Sequence, residues 1–145
     1  MLRRLLVIGG LALAVAACGE NVQTTSLKAP PPAPAQPKAW MVFFETNSTA
    51  LSQQSANTVT EASGVAKSTA GSSVVVTGFT DTEGSPEYNQ ALSVRRANAV
   101  RDALVKGGVN AQAIRVAGAG EKELLVPTAD QVRNPNNRRV QIVVQ

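Results

Sequence analysis

Histidine is missing from all 145 positions, and cysteine occurs once. Without imidazole there is no Ser/His or Cys/His nucleophile pair and no histidine-ligated metal centre, so the commonest hydrolytic and zinc chemistries are excluded by inventory. A solitary cysteine also has no disulfide partner within the chain. Aromatic residues are scarce, with one Trp, one Tyr and three Phe, which argues against a groove that stacks sugar rings. The apolar N-terminal run, Leu5 to Ala17, has 13 residues, short of the roughly 20 that a membrane-crossing helix needs. What remains, 43% hydrophobic and 17% charged residues, is a globular composition.

The first residues read as a targeting segment. Arg3 and Arg4 precede the uncharged run, which ends at Cys18, and this is the shape of a secretion signal over residues 1–17. Val15-Ala16-Ala17-Cys18 resembles the lipobox of bacterial lipoproteins, in which the signal is cut before the Cys and its thiol carries a diacylglycerol. The alternative for Cys18 is an ordinary thiol in a signal peptide. Gly19 follows, and in lipoproteins of this kind a residue other than Asp there implies passage to the outer membrane. Residues 18–39 form a polar, then Ala/Pro-rich linker, with Pro30, Pro31, Pro32, Pro34 and Pro37. Such a stretch builds no core and favours extended polyproline conformation, as a spacer or as a plain tail. Beyond residue 17 the chain has 12 basic and 10 acidic residues, a balance of +2. That small excess gives no support for nucleic-acid binding.

From Trp40 to Gln145 the pattern is that of one folded domain. Trp40 to Phe44 reads as a buried strand, and Ser52 to Ser68 as a helix with apolar positions every three to four residues. Ser73 to Thr77 is a β-branched strand that Gly78 closes. Ser85 suits an N-cap, Pro86 the first helical position and Gly107-Gly108 a stop, which places a second helix between them. Ile114 to Val116 reads as a short strand, Gly118-Ala119-Gly120 as a turn, Asn134 to Asn137 as a loop and Val140 to Val144 as a last strand. The order β-α-β-α-β-(loop or short helix)-β implies an α+β two-layer sandwich with the helices packed on one sheet.

At 100° per residue, Tyr88, Leu92, Ala99, Val100 and Ala103 share one face of the second helix. Arg96 falls near the middle of that stripe, where an apolar residue is expected, and Asn89 lies on its side. An unpaired buried charge is costly, so Arg96 must snorkel, pair with a carboxylate or await an anionic ligand. Two readings stay open, a polar site bordered by Asn89 and Arg96, or a structural ion pair. Gly78 to Gly84 joins the strand to this helix, at the carboxyl end of a strand and the amino end of a helix, where ligands and anions tend to bind. Asp81 in that segment is either a turn-stabilising residue or a partner of Arg96 in one pocket. A carboxylate and a guanidinium held apart suit a zwitterion, the Asp taking an ammonium and the Arg a carboxylate.

Gly78-Phe79-Thr80-Asp81-Thr82-Glu83-Gly84, Tyr88 to Ala97 and Asn137-Arg138-Arg139-Val140 resemble the G-H-T-D-x-x-G, Y-N-x-x-L-S-x-R-R-A and N-R-R-V motifs of one family. It is the OmpA-like C-terminal domain family, which includes the peptidoglycan-associated lipoprotein and the flagellar stator protein MotB. Val42 to Ser48 and Gly118 to Glu121 are similar to its V-Y-F-D-F-D-S and G-Y-G-E, so the resemblance covers roughly residues 40–145. The resemblance implies one mixed sheet, and non-covalent binding of peptidoglycan through the diaminopimelate of its stem peptide. Asp81 and Arg96 match the principal contacts, and Thr80, Asn89 and Arg139 match positions that line or support the same pocket. Phe79 stands where the family has His, Thr46 where it has an aromatic residue, and Asn47 where it has Asp.

Together these features describe a lipid-anchored outer-membrane protein whose periplasmic domain tethers membrane to wall, with no metal, no cofactor and no catalysis. One alternative is a subunit that docks a Tol-type or secretion-system protein. The other is a hydrolase using Glu83 with Glu87, or Glu121 with Glu123, although such pairs read as solvated faces or first-turn residues.

Overall fold

The computed structural model describes residues 36–145. The expected signal segment, Cys18, Gly19 and most of the linker lie outside the described residues. Among the described residues four strands and two helices follow in the order β1 (Lys38–Phe43), α1 (Gln53–Ser68), β2 (Val74–Phe79), α2 (Pro86–Lys106), β3 (Ile114–Gly120) and β4 (Arg139–Val144), with one 3-10 turn at Ala111–Ala113. Both helices begin where their caps dictate. The Ser52 hydroxyl accepts from the Ser55 N–H and the Ser85 hydroxyl from the Tyr88 N–H, while Pro86 occupies the first turn of α2. At the end of α2 the Gly107 N–H returns to Ala103 O, and Gly108 turns the chain at φ +92°.

The sheet runs β1-β4-β2-β3, with β4 antiparallel to both its neighbours and β2 parallel to β3. The last strand is therefore inserted between the first two, and the sheet is mixed. Val42, Val74, Val76, Val140 and Ile142 point to one face and pack with Val59, Ala62, Ala97, Val100 and Leu104 of the helices, all buried. That face is the core of a two-layer α+β sandwich. Truncating a fully buried Val or Ile of this set to Ala is worth about 2–4 kcal/mol.

Three expectations change in detail. The Trp40–Phe44 segment is not a buried strand but an edge strand, β1 beginning at Lys38 with Met41 and Phe43 exposed and Val42 buried. Gly78 does not close β2, nor do Gly118 and Gly120 form a turn, because both strands run through them. A Cβ on Gly78 would lie 2.0 Å from the carbonyl oxygen of Ser93, and one on Gly118 would lie 2.5 Å from the Ser93 hydroxyl. These glycines let α2 approach the sheet closely. The same contact rotates the buried stripe of α2 to Asn89, Leu92, Ser93, Arg96, Ala97, Val100 and Leu104, leaving Tyr88 exposed. Residues 121–137 contain no helix.

Candidate functional site

Several of the expected site residues gather where β2 ends. Thr80, Asp81 and Thr82 carry the chain from Phe79 toward Ser85, and all three are buried. The Thr80 N–H donates to Gly120 O at 2.8 Å, which ties this passage to the end of β3. Asp81 uses Oδ2 to accept from Arg138 Nη1 at 3.1 Å and from the Asn134 N–H at 3.2 Å. Arg138 also donates through Nε to Phe44 O at 3.1 Å. One buried ion pair thus joins the end of β1, the start of β4 and the segment after β2.

Arg96 reaches the same end of the sheet from α2 and is fully buried, the largest such side chain. Its Nε donates to Ser48 O at 3.0 Å, Nη2 to Glu45 O at 2.9 Å and Nη1 to Phe79 O at 3.4 Å, and the guanidinium carbon lies 5.4 Å from the centre of the Phe44 ring. Among the described residues no carboxylate comes within ion-pair distance of it. The structural ion pair is therefore not what satisfies Arg96, and backbone carbonyls do that instead. One N–H on each Nη is left without an acceptor among the described residues. Burial pulls the Arg96 pKa down to about 10, the Asp81 carboxylate opposing the shift and the Arg138 guanidinium adding to it.

A strap covers Arg96. Residues 45–50 carry two of its carbonyl acceptors, and Asn47, at φ +54°, accepts a hydrogen bond from the Tyr88 hydroxyl through its side-chain oxygen. The residue that replaces an Asp of the family motif is thus engaged in holding the strap to α2. Arg95 lies over the Tyr88 ring at 5.7 Å.

The other expected site residues divide. Thr80 lies beside Asp81, and its Oγ1 is buried without a partner among the described residues. Asn89 is buried on the Arg96 side of α2 but donates to Glu121 Oε2 at 2.6 Å. Arg139 lies on the opposite face of the sheet. It alternates with the core residue Val140 and pairs in register with the exposed Phe43, and its guanidinium stacks 3.9 Å from the centre of the Phe79 ring. Phe79, the family's His position, is therefore turned away from Arg96 too. Arg139 Nη2 donates to Glu123 O at 3.1 Å, while Nε and Nη1 are buried without partners among the described residues, and burial lowers its pKa against the pull of Glu123.

The segment 121–137 is fastened to this end without helix. The Asn137 side chain donates to Val126 O and accepts from the Val126 N–H, both at 2.8 Å. Thr82 Oγ1 donates to Ala129 O at 2.6 Å, the Gln131 side chain pairs with both backbone groups of Gly84, and Glu83 pairs with Arg133. Glu83 and Glu121 are thus already engaged, and Glu87 sits in the first turn of α2. A cleft of about 400 Å³ opens alongside, between the end of β1, the start of α1 and residues 135–138, with Glu45 and Arg138 on its wall. Among the described residues no group of His, Cys, Asp and Glu is placed to hold a metal, and no helix is long and apolar enough to cross a membrane.

Arg138 is the residue that sequence reasoning passed over. Of two adjacent arginines only one can face Asp81, because neighbouring positions at a strand point to opposite sides. The alternation from Val140 was the available signal.

Known proteins share this fold. A solved structure of the peptidoglycan-associated lipoprotein from Burkholderia pseudomallei superposes with a TM-score of 0.67 and 30% identity, covering 72% of this chain and 89% of that one. An outer membrane protein of Gluconacetobacter diazotrophicus is 35% identical over 118 residues, 77% of this chain and 31% of the relative. A probable lipoprotein of Escherichia coli, YiaD, is 35% identical over 103 residues, 71% of this chain and 47% of the relative. The chain thus spans about a third to a half of the length of these curated relatives. Residues 43–138 match the OmpA family, and they hold the strand ends, the strap, Asp81, Arg96 and Arg138: the chain belongs to the OmpA family.

Proposed function

We propose that this chain binds peptidoglycan non-covalently through the zwitterionic end of diaminopimelate in its stem peptide, as a tether between outer membrane and wall. The observation that carries the reading is Arg96, a buried guanidinium with no carboxylate partner among the described residues, held at the same end of the sheet as Asp81. A ligand carboxylate takes the free N–H groups of Arg96, and a ligand ammonium meets Asp81. Thr80 adds its unpartnered hydroxyl, while Asn89 and Arg139 support the site through Glu121 and the 121–126 segment. Arg96 is fully covered, so the ligand reaches it when the 45–50 strap lifts.

The anchor is Cys18, acylated after removal of residues 1–17, which places the domain in the periplasm on the outer membrane. The names of the relatives, an outer membrane protein, a probable lipoprotein and a peptidoglycan-associated lipoprotein, are consistent with this. The protein performs no catalysis and takes no cofactor. The test is sedimentation with purified sacculi of the chain from Gly19 to Gln145, beside Asp81→Ala and Arg96→Ala, with circular dichroism as the folding control. Wild type pellets, folded Arg96→Ala stays in solution and folded Asp81→Ala is retained less than wild type. A wild type that remains in solution removes the wall-binding reading and puts docking to an envelope protein in its place.

A further inference from the structure

Asp81 and Arg96 do not face each other as a simple pair of opposite charges. Arg138 stands at Asp81, 3.1 Å from Oδ2, and the Asn134 N–H fills the same oxygen. The buried cluster therefore holds two guanidiniums and one carboxylate, and among the described residues Arg96 has no anion of its own. An ammonium approaching Asp81 finds its charge already shared and a second cation beside it. A carboxylate approaching Arg96 meets an excess of positive charge in a desolvated setting, where each charge-assisted bond is worth more than in water.

We propose that Arg138 sets the charge selectivity of the site, making a free carboxylate on the ligand the dominant requirement and the adjacent ammonium a lesser one. Arg138 is a positioning residue here. It acts through Asp81, and its Nε bond to Phe44 O fixes the guanidinium at that distance. The ligand class that follows is an amino-acid terminus whose carboxylate is free, in preference to the same terminus amidated. This inference rests on the stem-peptide reading given above.

The experiment titrates the chain from Gly19 to Gln145 by calorimetry with three stem peptides. One carries diaminopimelate with its distal end free, the second has that distal carboxylate as carboxamide, and the third has that distal amine acetylated. For wild type, amidation lowers affinity by about tenfold or more, the value of a lost charge-assisted bond, and acetylation by about threefold or less. In Arg138→Gln, Asp81 is released and acetylation becomes as damaging as amidation. In Arg138→Lys the retained charge restores the wild-type order, an outcome that a purely structural role for Arg138 does not produce. Equal losses for the two modified peptides in wild type overturn the inference and leave the stem-peptide reading standing. Should the unmodified peptide fail to bind, both fall together. The wild-type comparison decides the matter even if Arg138→Gln does not fold.

Discussion

Asp81 and Arg138, 57 positions apart, form the buried ion pair that closes the end of the sheet where the candidate site lies, with side chains 8% and 10% exposed. The pair bridges the passage after β2 to the start of β4, and Arg138 extends the link to Phe44 at the end of β1. Three segments distant in sequence are held by one guanidinium.

Removing one partner leaves the other buried and unpaired, which costs about 3–5 kcal/mol. Arg138→Gln and Asp81→Asn are each expected to be destabilised on that scale in urea unfolding. The double variant is expected to lose less than the sum of the two by at least about 1 kcal/mol, the coupling expected of residues in contact. Additive losses would contradict a direct pair.

The strap over Arg96 gives a kinetic and thermodynamic prediction. Tyr88→Phe removes the hydroxyl that donates to Asn47, a bond worth about 0.5–1.5 kcal/mol to the covered form. If the strap must lift, the variant binds stem peptide about two- to tenfold more tightly, since less free energy opposes opening. Calorimetry with the unmodified peptide measures this, and weaker binding would mean that the strap is part of the binding surface.

The glycines of the sheet separate by position. Gly78→Ala places a Cβ 2.0 Å from Ser93 O, a backbone atom, so α2 must move and the loss is expected to reach about 3 kcal/mol. Gly64→Ala meets nothing within 4 Å in the exposed middle of α1, and is expected to stabilise by about 0.5–1 kcal/mol. Thermal unfolding of the two variants distinguishes close packing from a simple helix effect.

Arg139 should behave differently from Arg96. Arg139→Met keeps the contact with Phe79, gives up one bond to Glu123 O and removes a desolvated charge with two unpartnered nitrogens. The expected stability is within about 1 kcal/mol of wild type. Sacculus retention is expected to persist in this variant and to be lost in Arg96→Ala. Equal loss in both would place Arg139 in direct contact with the ligand.

The Glu83–Arg133 pair is exposed, and the Arg133 hydrogen bond holds the Glu83 carboxyl below its ordinary pKa of 4.5. A carboxylate whose folded pKa is depressed binds fewer protons when folded, so its stabilisation is present above 4.5 and fades as pH falls below that value. The stability gap between wild type and Glu83→Gln is therefore expected to be small at neutral pH and to close on acidification, and also in high salt. Denaturant midpoints at pH 7 and pH 3 provide the measurement.

Much of this protein was legible in the sequence, for local reasons. Ser85, Pro86 and Gly107-Gly108 fixed α2 because caps and stops act on their own neighbours. The β-branched run at Val74 to Val76 announced a strand, and Arg96 on an apolar helical face announced a buried charge. The glycine-rich strands were misread because a missing side chain looks the same in a turn and in a strand pressed against a helix, and only the distance to Ser93 distinguishes them.

What no local pattern carries is which groups meet across the chain. The insertion of β4 between β1 and β2 puts Arg138 beside Asp81 and turns Arg139 to the other face, since strand neighbours alternate. Sequence determined the elements and the residue types of the site, because propensity, capping and periodicity are properties of short segments. Tertiary structure decided the partners, because ion pairs and backbone acceptors depend on strand order, and that is set by burying all the apolar faces at once.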